Sequence, residues 1–320
     1  MALTACSSQA AEPKQDRWVD DEVSFVADGL TIHGTYRHER DAAPGPAAVL
    51  ISESGKTDRN GDNAVAGPVG NMRQLAELLS DRNVASLRYD KVGTGKTGLG
   101  PYALRQAEVV SAVYTSGAEA AVQYLSQQAG TDKARISVYA VGEGAIHAMS
   151  VAIDSTPGAP KIHSLGLFQP LPGRYLDMIT NRVRDNADPA VLKTWLAAVD
   201  EVRTKGTIPP NLPEGLGAML NPGNLKAVVE ADKIDPVALA AKIPAGTPVL
   251  LTCSDADVQA RCDTEKPLID ALAHTALTVV ELKGVNHVLR DDPTDNIANY
   301  RRQDPLSPQL VSALDEFVGK

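Results

Sequence analysis

Apolar positions along the 320-residue chain fall into two kinds of run, one of period two and one of helical period, and the two kinds alternate. Residues 23–27 and 30–37 flank Asp28-Gly29, a pair that suits a tight turn with φ > 0, and together they predict a hairpin. Residues 47–52 form a short apolar strand after the connector Pro44-Gly45-Pro46. Met72, Leu75, Ala76, Leu78 and Leu79 follow helical spacing, and residues 84–89 read as the next strand. Two helical stretches then run to near Gln128, before a β-rich run over 136–141, a helix over 145–153 and a strand over 164–168. This alternation predicts a mostly parallel sheet covered by helices on both faces.

The pattern changes after Gln169-Pro170. From there to about Lys242 it is helical and interrupted by prolines, with helices expected over 175–184, 189–202 and 225–231 and no convincing strand. Strands return at 248–252 and 277–282 around a helix at 266–274, and a last helix is expected at 307–318. A helical insertion in such a sheet is most simply a cap over the carboxyl ends of the strands, where ligands bind. The expected organisation is therefore an N-terminal tether (1–19), a first part of the core (20–170), a helical cap (171–245) and a second part of the core (246–320).

Composition narrows the function classes. Apolar residues at 43% suffice for a sizeable core, and aromatics at 4% leave its filling to Ala, Val, Leu and Ile. A net charge of −9 argues against nonspecific binding to nucleic acid or anionic lipid, which needs clustered Lys and Arg. No apolar run approaches the roughly 20 residues that would cross a bilayer. Leu3-Thr4-Ala5-Cys6 resembles a bacterial lipobox, in which Cys6 is lipidated after signal cleavage. That pattern also requires a basic and an apolar segment upstream, and only Met1-Ala2 stand there, so a trimmed envelope lipoprotein and a chance match are both open. The expectation is a cell-envelope protein, lipid-anchored or secreted, that meets a membrane only through its lipid. Cys253 and Cys262 are close enough to close a small loop in an oxidising compartment; the alternative is two unrelated buried thiols. Neither has a histidine at metal-ligand spacing, so no metal site is expected.

The residues that bear on chemistry come in a fixed order. The strand at 136–141 runs into Gly142-Glu143-Gly144 and a helix, in outline a strand-turn-helix elbow. The strand at 248–252 is followed by the acidic loop Cys253-Ser254-Asp255-Ala256-Asp257, and Gly284-Val285-Asn286-His287 ends the next strand. Together with Ser52-Glu53-Ser54-Gly55-Lys56-Thr57-Asp58-Arg59-Asn60-Gly61 and Arg88-Tyr89-Asp90-Lys91-Val92-Gly93-Thr94-Gly95-Lys96-Thr97, these pieces resemble the bacterial serine esterase and aminopeptidase branch of the α/β-hydrolases, over roughly residues 20–319. The resemblance implies an α/β-hydrolase fold. It also implies His287 as general base, Asp257 as its orienting acid with Asp255 as a possible substitute, and the backbone N–H groups of Ser54 and Glu143 as oxyanion donors. The nucleophilic serine of that pattern falls on Gly142, which has no side chain.

Other positions also depart from the pattern: Ala140 where Gly is usual, Val141 where His is frequent, and Glu53 where the Ser54 loop usually begins with Gly. Glu53 is expected to modify the site through its charge, and His147 to be a packed or surface residue. Trp195, Leu196 and Val199 are expected in a helical core or along a ligand channel. Gly93-Thr94-Gly95-Lys96-Thr97 imitates the end of a phosphate-binding loop, but Asp90 replaces its first glycine and would repel phosphate. The sequence thus predicts a catalytically degenerate ester or acyl hydrolase that binds a small apolar or acyl ligand under its cap, without metal or cofactor. Hydrolysis by a non-standard nucleophile or a His287-activated water is one alternative, and a non-enzymatic scaffold is another.

Overall fold

A computed structural model describes residues 17–210 and 212–318, so Cys6 lies outside the described residues. The strands are β1 (Trp18–Ala27), β2 (Leu30–Glu39), β3 (Gly45–Ile51), β4 (Ala85–Tyr89), β5 (Thr131–Val141), β6 (Ser164–Phe168), β7 (Pro248–Ser254) and β8 (Ala276–Leu282). The helices are α1 (Asn71–Ser80), α2 (Ser111–Ser126), α3 (Gly144–Ala152), α4 (Tyr175–Asn186), α5 (Pro189–Lys205), α6 (Glu214–Met219), α7 (Leu225–Lys233), α8 (Pro236–Ala240), α9 (Lys266–Leu272), α10 (Ile297–Tyr300) and α11 (Pro308–Phe317).

The strands form one sheet in the order β1-β2-β4-β3-β5-β6-β7-β8. β2 is antiparallel to β1 and β4, and the remaining pairs are parallel. The first hairpin turns where expected, with Asp28 and Gly29 at φ 47° and 79°. Its first strand starts at Trp18, ahead of the apolar alternation, because Asp20, Asp21 and Glu22 ion-pair with Arg37, His38 and Arg59. The central strands are continuous apolar runs, as burial on both faces requires: Ala47–Ile51 is entirely buried.

Helices α2, α3, α8 and α9 contribute to the core on one face, and α1 and α11 to the core on the other. Met72, Leu75, Ala76 and Leu79 bury one stripe of α1, the face that their spacing predicts. Of the two helical stretches expected before Gln128, only α2 is an α-helix. The earlier one is a pair of short 3-10 turns, because Gly98 and Gly100 adopt φ 56° and 47° and Pro101 follows.

Helices α4 to α8 lie between β6 and β7, and α4 to α7 share a hydrophobic cluster of their own. Trp195 is fully buried there and its indole N–H donates to Thr180 Oγ1 at 2.9 Å, while Leu196 is exposed. Asp188 caps α5 ahead of Pro189, and Gly206 ends it at φ 69°. Asp232 on α7 binds both Arg174 and Arg203, tying the start of α4 to α5 and α7. The short helices α6 and α8 were not apparent from periodicity, since six and five residues are too few to show it.

Candidate active site

The loops that follow the carboxyl ends of the parallel strands carry every residue singled out for chemistry. β5 ends at Val141, Gly142 turns the chain at φ 56°, and α3 starts at Gly144. Gly144 is required by space: a Cβ there would lie 2.8 Å from the Ile51 carbonyl oxygen and 2.9 Å from that of Ser52. The close approach seats α3 against the end of β3, beside the loop that holds Glu53 and Ser54.

His287 and Asp257 meet as the sequence predicts. His287 Nδ1 lies 2.7 Å from Asp257 Oδ2, and both side chains are buried. The other oxygen of Asp257 accepts the backbone N–H groups of Gln259 at 2.7 Å and Ala260 at 3.1 Å, which fixes the carboxylate. His287 is held from behind, since its backbone N–H donates to Asp295, which also accepts the Tyr300 hydroxyl. Asp255 is not a substitute acid. It is exposed, accepts the Gly284 N–H and faces Lys283.

Cys253 and Cys262 are joined by a disulfide at the base of the Asp257 loop. Serine at both positions is expected to lower stability by roughly 2–3 kcal/mol, the loop-closure magnitude for this short separation. A denaturation midpoint unchanged from the wild type would contradict that role.

The side of His287 that faces Gly142 is occupied. Glu53 Oε2 lies 2.9 Å from His287 Nε2, and the Glu53 side chain is 21% exposed. A Cβ built on Gly142 would sit 3.0 Å from that same Nε2 and 3.4 Å from the Glu53 Cβ. The Glu53 carboxylate thus takes the ring nitrogen that a side chain at position 142 would approach.

Two carboxylates on one imidazole decide its protonation. Each accepts a hydrogen bond, so both ring nitrogens must donate, and only the imidazolium can do that. Burial alone would lower the His287 pKa, but the charges and hydrogen bonds of Asp257 and Glu53 outweigh it and hold the ring well above its ordinary value. Burial likewise would raise Glu53, and the bond to His287 together with the His287 and Lys91 charges keeps it below the usual carboxylate range. The ion pair therefore persists through neutral pH.

Beside it sits a second polar group. The Lys91 ammonium donates to the carbonyl oxygens of Glu53 and Ser52 and lies over the Tyr114 ring. Burial lowers its pKa, opposed by the Glu143 and Glu53 charges. Glu143 follows Gly142, as expected, and its carboxyl is raised by burial, against the charge of Lys91. A cavity of about 500 Å³ opens here beneath α4, α6 and α7, lined by Ser54, Lys91, Glu143, His147, Tyr175 and Met219 among others. His147 is buried on its wall. A second cavity of about 990 Å³ adjoins Glu53 and shares Ser54, Gly55, Arg182 and Gln259 with the first. Trp195 and Val199 line neither.

The phosphate-loop imitation is a structural network. Asp90 accepts from the Arg59 side chain and from the backbone N–H groups of Arg59 and Lys96, while Thr97 donates to the Asp90 carbonyl. Its carboxylate is fully used within the protein. Among the described residues no group of three or more His, Cys, Asp or Glu could hold a metal ion, and no helix is long and apolar enough to cross a membrane.

Neither a family model nor a curated protein matches the sequence. Solved structures do match. DcsB, solved in complex with a substrate analogue, is 16% identical with a TM-score of 0.58 over 93% of this chain and 98% of its own. Est1E from Butyrivibrio proteoclasticus, solved with ferulic acid bound, is 16% identical with a TM-score of 0.57 over 88% and 96%. The Pyrococcus furiosus esterase Pf2001 is 16% identical with a TM-score of 0.57 over 98% and 96%. At this identity the likeness speaks for architecture alone, and with the sheet order it establishes that the chain has the α/β-hydrolase fold.

Proposed function

We propose that this protein is a ligand-binding descendant of a serine ester hydrolase, one that has lost the serine route and holds a small apolar or acyl ligand beneath a cap formed by α4 to α7. The observation that carries this reading is the Glu53 carboxylate on His287 Nε2, in the space that faces Gly142. A general base must offer an unprotonated nitrogen to the attacking hydroxyl, and here that nitrogen donates to a carboxylate. The attacking hydroxyl is missing as well. In subtilisin, loss of the nucleophile alone costs about six orders of magnitude in turnover. Against this, the pocket remains: about 500 Å³ falls in the range of small-molecule sites. The ferulic acid bound to Est1E supports a small ligand in this fold.

The lipobox-like Cys6 and the Cys253–Cys262 bridge support a place in the cell envelope, lipid-anchored or secreted, where disulfides persist. The reading is tested with purified protein, a short p-nitrophenyl ester and the apolar fluorophore N-phenyl-1-naphthylamine. Expected are no turnover above buffer, and saturable binding of the fluorophore that acyl compounds displace. Turnover that disappears with His287→Ala would refute it.

The same ion pair gives a second reading its only support: hydrolysis through the Glu53 carboxylate, with the His287 imidazolium protonating the leaving group. A burst of p-nitrophenol that Glu53→Gln abolishes would establish that reading over the first.

A further inference from the structure

The two cavities divide the site between them. Glu53 lines the larger, while neither His287 nor Asp257 lines the smaller, which lies beneath the helices. The smaller has a polar floor of its own. Glu143 and His147 stand one helical turn apart and face it together, opposite Ser111 and Tyr114 of α2. His147 and Ser111 are only 4% and 8% exposed. His147 Nδ1 is paired with the Thr115 hydroxyl at 3.0 Å. Among the described residues His147 Nε2, the Glu143 carboxyl and the Ser111 and Tyr114 hydroxyls have no hydrogen-bond partner, yet they border one cavity. None of these atoms is sealed off from the cavity, so the floor offers hydrogen-bond donors and acceptors to a guest that fills it.

We propose that the floor is a head-group site for uncharged amphiphiles, whose apolar tail lies against α4 and α7 and whose hydroxyl-bearing head, of the glycerol type, both donates and accepts hydrogen bonds. This rests on the ligand-binding reading above and names the class of ligand. Charge selects the head. Lys91 and Glu143 each oppose the effect of burial on the other, and both border the cavity. An anionic head would meet Glu143, with Glu53 nearby, and a cationic head would meet Lys91 and Arg182. Either ion would lose its hydration beside a charge of its own sign. Burial and the Lys91 charge push His147 down to about 3, so its imidazole is neutral and pairs with a hydroxyl at no charge cost.

The test displaces bound N-phenyl-1-naphthylamine with three ligands of one tail length, 1-monodecanoylglycerol, decanoate and decylammonium, at pH 7 and below their aggregation concentrations. Monodecanoylglycerol is expected to bind at least about tenfold more tightly than either ion, a loss typical of one buried polar group left unpaired. Glu143→Leu and His147→Phe are each expected to remove that preference while the fluorophore still binds, and Glu143→Gln to retain it. Equal or tighter binding of decanoate or decylammonium overturns the head-group proposal alone, as does an unchanged preference in Glu143→Leu. If the fluorophore and all three ligands fail to bind wild-type protein, the ligand-binding reading falls and takes this proposal with it.

Discussion

Serine at position 142 alone is expected to leave the protein without esterase activity, whereas Gly142→Ser combined with Glu53→Gly should give measurable turnover on p-nitrophenyl butyrate. The single variant fails for two reasons. Its Cβ would crowd His287 Nε2 at 3.0 Å, and the hydroxyl would compete for the place that the Glu53 carboxylate holds. Glu53 also keeps the imidazole protonated, so it has no lone pair for a serine. Removing the Glu53 side chain opens the space and takes away one of the two carboxylates that raise the ring. Asp257 stays in place to orient it. General-base catalysis contributes about 10²–10⁴-fold and an oxyanion donor about 10²–10³-fold, so even partial recovery stands clear of background. The left-handed turn costs serine roughly 1–3 kcal/mol of strain, which limits stability more than chemistry. Adding His287→Ala to the double variant should abolish the gain. A folded double variant with no more activity than the wild type would show that more than the nucleophile and its blocking carboxylate has been lost.

A second large effect is expected away from the cavities. Glu265 is fully buried at the start of α9, and neither carboxyl oxygen has a partner. Burial, with the Asp257 charge adding to it, pushes its pKa up to about 9. The folded protein therefore keeps this proton at neutral pH while the unfolded chain releases it above about 4.5. Between those values the native state binds more protons, so this group makes stability fall as pH rises. Glu265→Gln removes that dependence. The variant and the wild type should be closest near pH 4. The variant should then gain roughly 1 kcal/mol for each pH unit until about pH 9. Urea denaturation at several pH values measures it, and parallel stability curves for the two proteins would refute the buried neutral acid.

The framework was legible because its signals are local. Asp28-Gly29 marks the hairpin by its tolerance of positive φ, and residues 164–168 read as a strand because a doubly covered strand is apolar throughout. The meeting of His287 with Asp257 followed from the order of pieces along the chain. What could not be read is how far side chains reach. Glu53 was expected to act through its charge, but its contact with His287 spans the ends of two strands separated in sequence by most of the chain. Nothing in the local sequence distinguishes that glutamate from an exposed one. The same holds for Glu265, whose neighbours Thr264 and Lys266 are polar and suggest a surface. His147 was expected to pack or lie at the surface. It is packed, but the polar floor that it forms with Glu143 appears only when α2 and α3 are set side by side.

The chain Glu53–His287–Asp257 joins the loops after β3, β7 and β8 through two ionic hydrogen bonds. Breaking one side of such a buried pair leaves an uncompensated charge and costs several kcal/mol. Mutational drift in a lineage that no longer needs turnover would then still be purged at positions 257 and 287, for reasons of foldedness alone. A histidine and an aspartate so placed act as a clasp between loops whether or not they take part in chemistry. On the proposed reading the pair keeps three loops together, so finding it in a chain of this fold is not by itself a mark of activity.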